Sequence, residues 1–374
     1  MDKLRVVLLF GGRSSEHSIS CATAGGVLGA IDRSRFEVIP VGITRDGAYV
    51  LESDDPARFA LDPGHLPEVV DNGTRVHWPE SASSRELTVT DAAEGHSPGA
   101  GDAPGTRSLG EVDVVFPILH GRFGEDGTVQ GLIELLGLPY VGNGVLASAV
   151  GMDKHFTKTV LEGAGIAVAP WVTLTRAALE HDPELWKRRV HALGLPVFVK
   201  PARAGSSVGV TKVDDWSQLH AALDTGFAED RTVLVEAAMT GREIECGVLE
   251  GRDGGPARVS VAGEVVVSGR AFYDFEAKYL DAPGVDLICP ADLGDGELFE
   301  LQRIAGRAFD AIGGEGLARV DVFLTDEGFV VNEVNTMPGF TPISMFPTCW
   351  LNTGLSYPEL ITELIEVGHA RGIR

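Results

Sequence analysis

Three oxygen-bearing side chains, Asp321, Glu333 and Asn335, fall in the stretch GLARVDVFLTDEGFVVNEVNTMPGF (316–340), whose other positions are mostly apolar. Val320, Val322 and Leu324 alternate with polar or larger residues, Thr-Asp-Glu-Gly supplies a turn, and Phe329 to Val334 returns as a second β-rich run. Folding the arms back on that turn sets Asp321 near Glu333, and the two-residue repeat of a strand puts Glu333 and Asn335 on one face. Such a set of hard oxygen donors suits a hard divalent cation. A solvated hairpin face would show the same pattern, so the hairpin alone leaves both readings open.

Other stretches carry groups suited to phosphate and to a nucleoside. PVFVKPARAGSSVGVTKV (196–213) reads as strand, Gly/Ser-rich turn and strand, with Lys200 closing the first. Small residues such as Ser206 and Ser207 let backbone N–H groups approach phosphate oxygens, and a lysine adds a point charge. A hairpin turn beside a solvated lysine is the alternative. The segment is not a P-loop, and the early GGRSSEH turn is not GxGxxG. In TVLVEAAMTGREIECGVL (232–249), Glu236 sits on a short linker after a strand and Glu243 on the next strand. A linker of that kind offers backbone groups to a planar base and a carboxylate to ribose hydroxyls.

FGGRSSEHSIS (10–20) places Glu16 just past a strand at a helix start, where open α/β sheets bind ligands. A carboxylate there holds an ammonium group, or is only a helix-terminal charge favoured by the macrodipole. ILHGRFGEDG (118–127) repeats the arrangement with His120. The loop 269–293 sets aromatic residues at 272, 273, 275 and 279 around Lys278 without helical or strand periodicity, which suggests a lid that excludes water and carries Lys278 to a terminal phosphate.

The elements that must position these groups follow from periodicity. LRVVLLF is a continuous apolar run suited to a buried parallel strand, followed by a helix over about 18–31 and the strand FEVIPVGI. The part 52–110 turns polar and irregular, and reads as an insertion. VDVVFPIL and DGTVQGLIELLGL restore a strand and a helix, closing an N-terminal α/β domain at about residue 142. A small α+β domain over 143–235 has helices at 153–164 and near 176–193 and strands PVFVK, VGVTKV and TVLVE. A third domain, 236–374, holds strands at 243–249, 258–262 and 264–270, a helix at 296–312, the opening hairpin and a final helix. The fold class is α/β and α+β.

The chain has 374 residues, 44% hydrophobic and 23% charged, which fits a multidomain globular enzyme. A net charge of −23 with no Lys/Arg cluster argues against a nucleic-acid partner. No apolar run is long enough to span a bilayer, and the N-terminal apolar run reads as a strand rather than a signal peptide, so a cytoplasmic protein with no membrane partner is expected. Cys21, Cys246, Cys289 and Cys349 lie far apart without metal-finger spacing.

Taken in order, GGRSSEHSIS, LHGRFGEDGTVQGLIELLGLPYVGNGVLASAVGMDK, GIAVAPW, LGLPVFVKPARAGSSVGVTKV, FYDFEAKYL, ARVDVFL and EVNTMPGFTPIS resemble the ATP-grasp enzymes, and among them the D-alanine–D-alanine ligases. The likeness spans nearly the whole chain outside about 45–110. It implies a three-domain ATP-grasp fold with an N-terminal parallel-sheet domain like that of biotin carboxylase, a homodimer, and ATP with two Mg²⁺ (or Mn²⁺). By the same resemblance Lys154 and Lys200 bind ATP phosphates under the Gly205–Gly209 turn, which includes Ser207. Glu236, Ala238, Met239 and the lid's Phe272 border the nucleotide, Glu243 takes the ribose, and Lys278 the terminal phosphate. Asp321, Glu333 and Asn335 hold the metal ions.

On the substrate side, the resemblance gives Glu16 the ammonium of a first D-alanine, with His120 nearby. It links Ser206 and Tyr279 with Glu16 through hydrogen bonds, makes Arg319 and the Gly339 N–H an oxyanion hole, and sets Ser344 and Met345 at the second D-alanine. Phe275 stands where many relatives have tyrosine, and Met345 where leucine is common. The activity so implied is ATP-dependent ligation of two D-alanines through an acyl phosphate. The rivals are a ligase with D-lactate or D-serine as acceptor, against which Tyr279 argues, and a silent nucleotide-binding protein on the same fold, against which the intact set of charged residues argues.

Overall fold

The computed structural model describes residues 3–62, 64, 66–91, 105–267 and 284–372. The chain divides into two compact units: Met1–Val145 with Glu315–Leu317 and Met337–Arg374, and Leu146–Gly314 with Ala318–Thr336.

In the first unit the apolar run Leu4–Gly11 is the inner strand of a four-stranded sheet. Parallel neighbours Phe36–Ile43 and Val114–Pro117 flank it, and Tyr49–Leu51 adds an antiparallel edge. With neighbours on both sides and helices to cover it, the strand needs no polar alternation. The Gly11–Gly12 turn leads into helix His17–Ala30, and Phe10 packs edge-on against Phe59 at 4.9 Å.

The segment 52–110, expected to be irregular, carries a second sheet. Arg75–His77, Glu86–Thr90 and Thr106–Glu111 pair antiparallel, and Val76, Leu87 and Val89 join the core that contains Val7 and Leu9. The alternation in ELTVT held that signal, but strands this short between polar turns are hidden by average composition. Residues 92–104 of this segment lie outside the described residues. At the other end of the chain, the single final helix becomes Met345–Thr353 and Tyr357–Arg371. Gly354 ends the first in a left-handed conformation and Ser356 with Glu359 forms a capping box on the second.

The second unit holds two sheets. The smaller runs Thr211–Val213, Val197–Pro201, Thr232–Ala237, Trp171–Thr175, all antiparallel, over a core of Trp186, Val190, Leu219 and Leu223. The helix expected near 176–193 is two, Arg176–His181 and Pro183–His191, because Pro183 cannot extend the first and Asp182 caps the second through Leu185 N–H at 2.9 Å. The larger sheet runs Val285–Ile288, Arg258–Val267, Arg242–Leu249, Leu317–Thr325, Gly328–Asn335. The strands read at 258–262 and 264–270 are one through Val267, since Gly263 keeps its place opposite Glu245. Helix Asp295–Ala311 buries Leu301, Ile304, Ala305 and Ala308 against Ile244, Val248, Val320 and Val322. Among the described residues no helix is long and apolar enough to cross a membrane.

Candidate active site

The hairpin forms where its sequence predicts it. Asp321 pairs with Glu333 and Arg319 with Asn335, with a bulge just after Asp321, so these four side chains share one face in the second unit. Arg319 binds Asp321 with both nitrogens of its fork, Nε–Oδ1 and Nη2–Oδ2 at 2.7 Å each, while Asn335 Nδ2 donates to Asp321 Oδ2 at 2.9 Å. Glu245, from the adjacent strand, reaches Arg319 Nε at 3.1 Å. Burial would lower the Arg319 pKa, but Asp321 and Glu245 overcome it and keep the guanidinium protonated.

Two carboxylates in register and an amide oxygen are hard donors on a half-buried face, and they fit a divalent cation. No group of three His, Cys, Asp or Glu side chains suited to a metal gathers among the described residues. A divalent cation held by one or two carboxylates completes its shell with water and substrate phosphate.

In the same unit, Lys154 opens helix Lys154–Gly163, capped by Asp153, and its Nζ donates to Ala204 O at 2.7 Å. Lys200 Nζ donates to Glu236 Oε1 at 2.7 Å. Lys158 Nζ lies 2.8 Å from the other oxygen, Oε2. Glu236 is not on a linker: its pairing with Trp171 and Phe198 carries the strand through Ala237, and the side chain is buried. Burial pushes its pKa up, yet Lys200 and Lys158 more than offset that and hold it below the usual carboxylate range.

Ala238 N–H is engaged by Pro196 O at 3.1 Å, and Met239 after it is half-buried. Glu243 is half-buried on strand Arg242–Leu249. Between the strand that carries Lys200 and the next, Thr211–Val213, Ser206 and Ser207 both take positive φ, 48° and 59°. Two successive left-handed serines are strained backbone of the kind found at ligand clamps. Arg203 braces the base of this turn by donating Nε and Nη2 to Asp230 at 2.9 and 2.6 Å.

In the first unit, buried Glu16 precedes helix His17–Ala30, and its carboxylate lies so close to Gly121 that a Cβ there would stand 2.7 Å from Oε2. Ser14 Oγ donates to His120 O at 2.7 Å and accepts from Glu16 N–H at 3.2 Å, tying the two loops together. His120 is buried, its Nδ1 3.1 Å from Met337 O; burial lowers its pKa against the opposing pull of Glu16, so the ring is neutral at pH 7. Gly339 is half-buried in the loop after Met337, and Phe340 beside it packs on Phe116, Phe346 and Tyr357. Ser344 stands at the N-terminus of helix Met345–Thr353, its Oγ 2.7 Å from Thr341 Oγ1, with Met345 buried behind it.

Thus Glu16 and His120 come together, as do Lys200 with Glu236, and Arg319, Asp321 and Asn335. Phe272, Lys278 and Tyr279 lie outside the described residues. Sequence reasoning missed four contributors. Glu125 accepts from Gly121 N–H at 2.6 Å and Met337 N–H at 3.1 Å. Lys158, Glu245 and Arg203 complete ion pairs whose partners come from remote segments. The only early signal was the scarcity of lysine, at seven of 31 basic residues.

Two antiparallel sheets with lysines from a strand and a neighbouring helix, an oxygen-rich hairpin and a strained Gly/Ser turn define an ATP-grasp fold. Among solved structures, the D-Ala:D-Ser ligase VanG of Enterococcus faecalis is similar at a TM-score of 0.80 and 33% identity, over 98% of this chain and 100% of that one. The D-alanine–D-alanine ligase of Coxiella burnetii follows at 0.79 and 34%, over 99% and 95%. A family model described as D-ala D-ala ligase N-terminus matches residues 5–143, and the corresponding C-terminus model matches 160–366. The chain is 53% identical over 374 residues to the D-alanine–D-alanine ligase of Kineococcus radiotolerans, covering 99% of this chain and 97% of that protein. It is 50% identical to that of Streptomyces coelicolor, covering 98% and 93%. The chain belongs to the D-alanine–D-alanine ligase family.

Proposed function

We propose that the protein joins two D-alanine molecules into D-alanyl-D-alanine for peptidoglycan synthesis, with ATP converted to ADP and phosphate. The family match over both halves of the chain supports this, and the intact hairpin set of Arg319, Asp321, Glu333 and Asn335 is the observation that carries it. A carboxylate is too poor an electrophile for an amine, so the first D-alanine is activated: its carboxylate attacks the γ-phosphate and ADP leaves. The amine of the second then attacks the acyl carbon, and phosphate departs from the tetrahedral intermediate.

Each residue's proposed part is the one the family resemblance implies for its position. Glu16 holds the first ammonium, with neutral His120 beside it. Lys154 and Lys200 meet phosphate oxygens, together with Lys278 and the backbone of Ser206 and Ser207. Glu236, Ala238, Met239 and Phe272 border the base, and Glu243 the ribose. Asp321, Glu333 and Asn335 hold Mg²⁺ (or Mn²⁺), which would neutralise charge building on the transferring phosphoryl group. Arg319 and Gly339 N–H face the oxyanion, a role worth roughly 3 kcal/mol per donor. Ser344, at a helix N-terminus, takes the second carboxylate with Met345 behind it, and Ser206 and Tyr279 order the lid over the reaction. The same reading makes the protein a cytoplasmic homodimer built of domains 1–142, 143–235 and 236–374.

The likeness to VanG keeps one alternative acceptor, D-serine, worth testing. Phosphate release is measured with ATP and Mg²⁺ and D-alanine alone, then with D-serine or D-lactate added, and products are weighed. D-Alanine-dependent release with dipeptide product is expected. Release that requires D-serine or D-lactate would overturn the acceptor, and none with any D-amino acid would overturn the activity.

A further inference from the structure

One buried cation has no part in the reaction just described. Lys158 lies inside the second unit with its side chain only 2% exposed, against 14% for Lys200. Its Nζ is 2.8 Å from Glu236 Oε2 and 3.2 Å from Ala169 O, and sits 5.6 Å from the centre of the Trp171 ring. Lys200 holds the opposite oxygen of the same carboxylate. Two lysines therefore share one buried acid. Only Lys200 stands on a strand that runs directly into the Ser206–Ser207 turn, and it is the less buried of the two.

A lysine that binds phosphate divides its charge between the phosphate and Glu236, or leaves Glu236 altogether. Were it the sole partner, its departure would leave a carboxylate buried without a counter-charge, and that cost would be subtracted from nucleotide affinity. We propose that Lys158 is the fixed counter-ion of the nucleotide site, a positioning residue that keeps Glu236 neutralised so that Lys200 is released to the phosphates. The carbonyl of Ala169 and the face of Trp171 hold Lys158 in place whether or not Lys200 stays. This rests on the reading of Lys200 as a phosphate ligand.

The test measures ADP binding with Mg²⁺ by calorimetry, and KM for ATP and for D-alanine, in the full-length protein. Lys158→Met is expected to weaken ADP binding and raise the ATP KM by about tenfold or more, with the D-alanine KM within about twofold. Adding Glu236→Gln is expected to recover much of that loss, because a neutral amide needs no counter-ion. If Lys158→Met alone does not fold, the comparison is made in the Glu236→Gln background, where removing Lys158 should change ADP binding by less than about threefold. Unchanged affinity in Lys158→Met, or an equal loss with and without Glu236→Gln, would overturn the inference while Lys200→Met still weakens ADP. If Lys200→Met binds ADP as tightly as the natural protein, the reading of Lys200 falls and the inference falls with it.

Discussion

Arg319 holds Asp321 through both carboxylate oxygens at 2.7 Å, and the same guanidinium is met from the next strand by Glu245 at 3.1 Å. The pair joins two proposed duties, since Asp321 faces a cation and Arg319 an oxyanion. Lysine cannot reproduce a fork that meets two carboxylates at once. Arg319→Lys is therefore expected to lower kcat by roughly 100- to 1000-fold with a much smaller change in the KM for ATP. Steady-state kinetics decide it; a rise in KM at unchanged kcat would remove the oxyanion role.

Glu333 stands directly opposite Asp321 and is half-buried. Replacing it with Gln keeps shape and removes one charged ligand. Turnover is expected to fall by at least about 100-fold and to demand far more Mg²⁺, with thermal stability nearly unchanged. Near-normal activity at ordinary Mg²⁺ would sink the metal assignment.

Gly121 combines a φ of +70° with a backbone that a Cβ would drive to 2.7 Å from Glu16 Oε2. Gly121→Ala is expected to cost about 1–2 kcal/mol in stability. By displacing the carboxylate it should also raise the KM for D-alanine by roughly tenfold, leaving that for ATP near its natural value. Denaturant unfolding and substrate titrations measure the two effects separately.

His17 is fully buried, its Nδ1 2.6 Å from Gly12 O, while Val69 N–H donates to Nε2 at 2.9 Å. One nitrogen gives and the other accepts, so only the neutral ring satisfies both. Burial, helped by Arg45, depresses its pKa below 6.5 against the opposing Gly12 carbonyl and Glu68. As pH falls the unfolded chain takes up the proton first. The stabilisation present above pH 6.5 is therefore lost as pH drops from 6.5 towards the folded value. His120 acts in the same direction. Thermal melts between pH 8 and 5 should show this decline, and His17→Gln should flatten it.

The parts legible in the sequence are those set by neighbours in the chain. Alternation about Thr-Asp-Glu-Gly is enough to announce the hairpin, but the register of its turn would set Asn332 opposite Asp321, and the bulge after Asp321 is what brings Glu333 there. The run Leu4–Gly11 declares a buried parallel strand, and the strand ending at Lys200 announces the Gly/Ser turn. The ordered motifs then settle the family. What tertiary structure alone decided is which distant groups meet. Nothing local tells that Lys158 and Lys200, on a helix and a strand, grip one carboxylate, that Glu125 reaches Met337, or that Glu245 backs Arg319. Nor does the polar character of 52–110 reveal that Val76, Leu87 and Val89 extend a core begun at Val7. Periodicity reports which face of an element is apolar, but the partner of a buried charge depends on how elements far apart in the chain pack, and no local repeat records that.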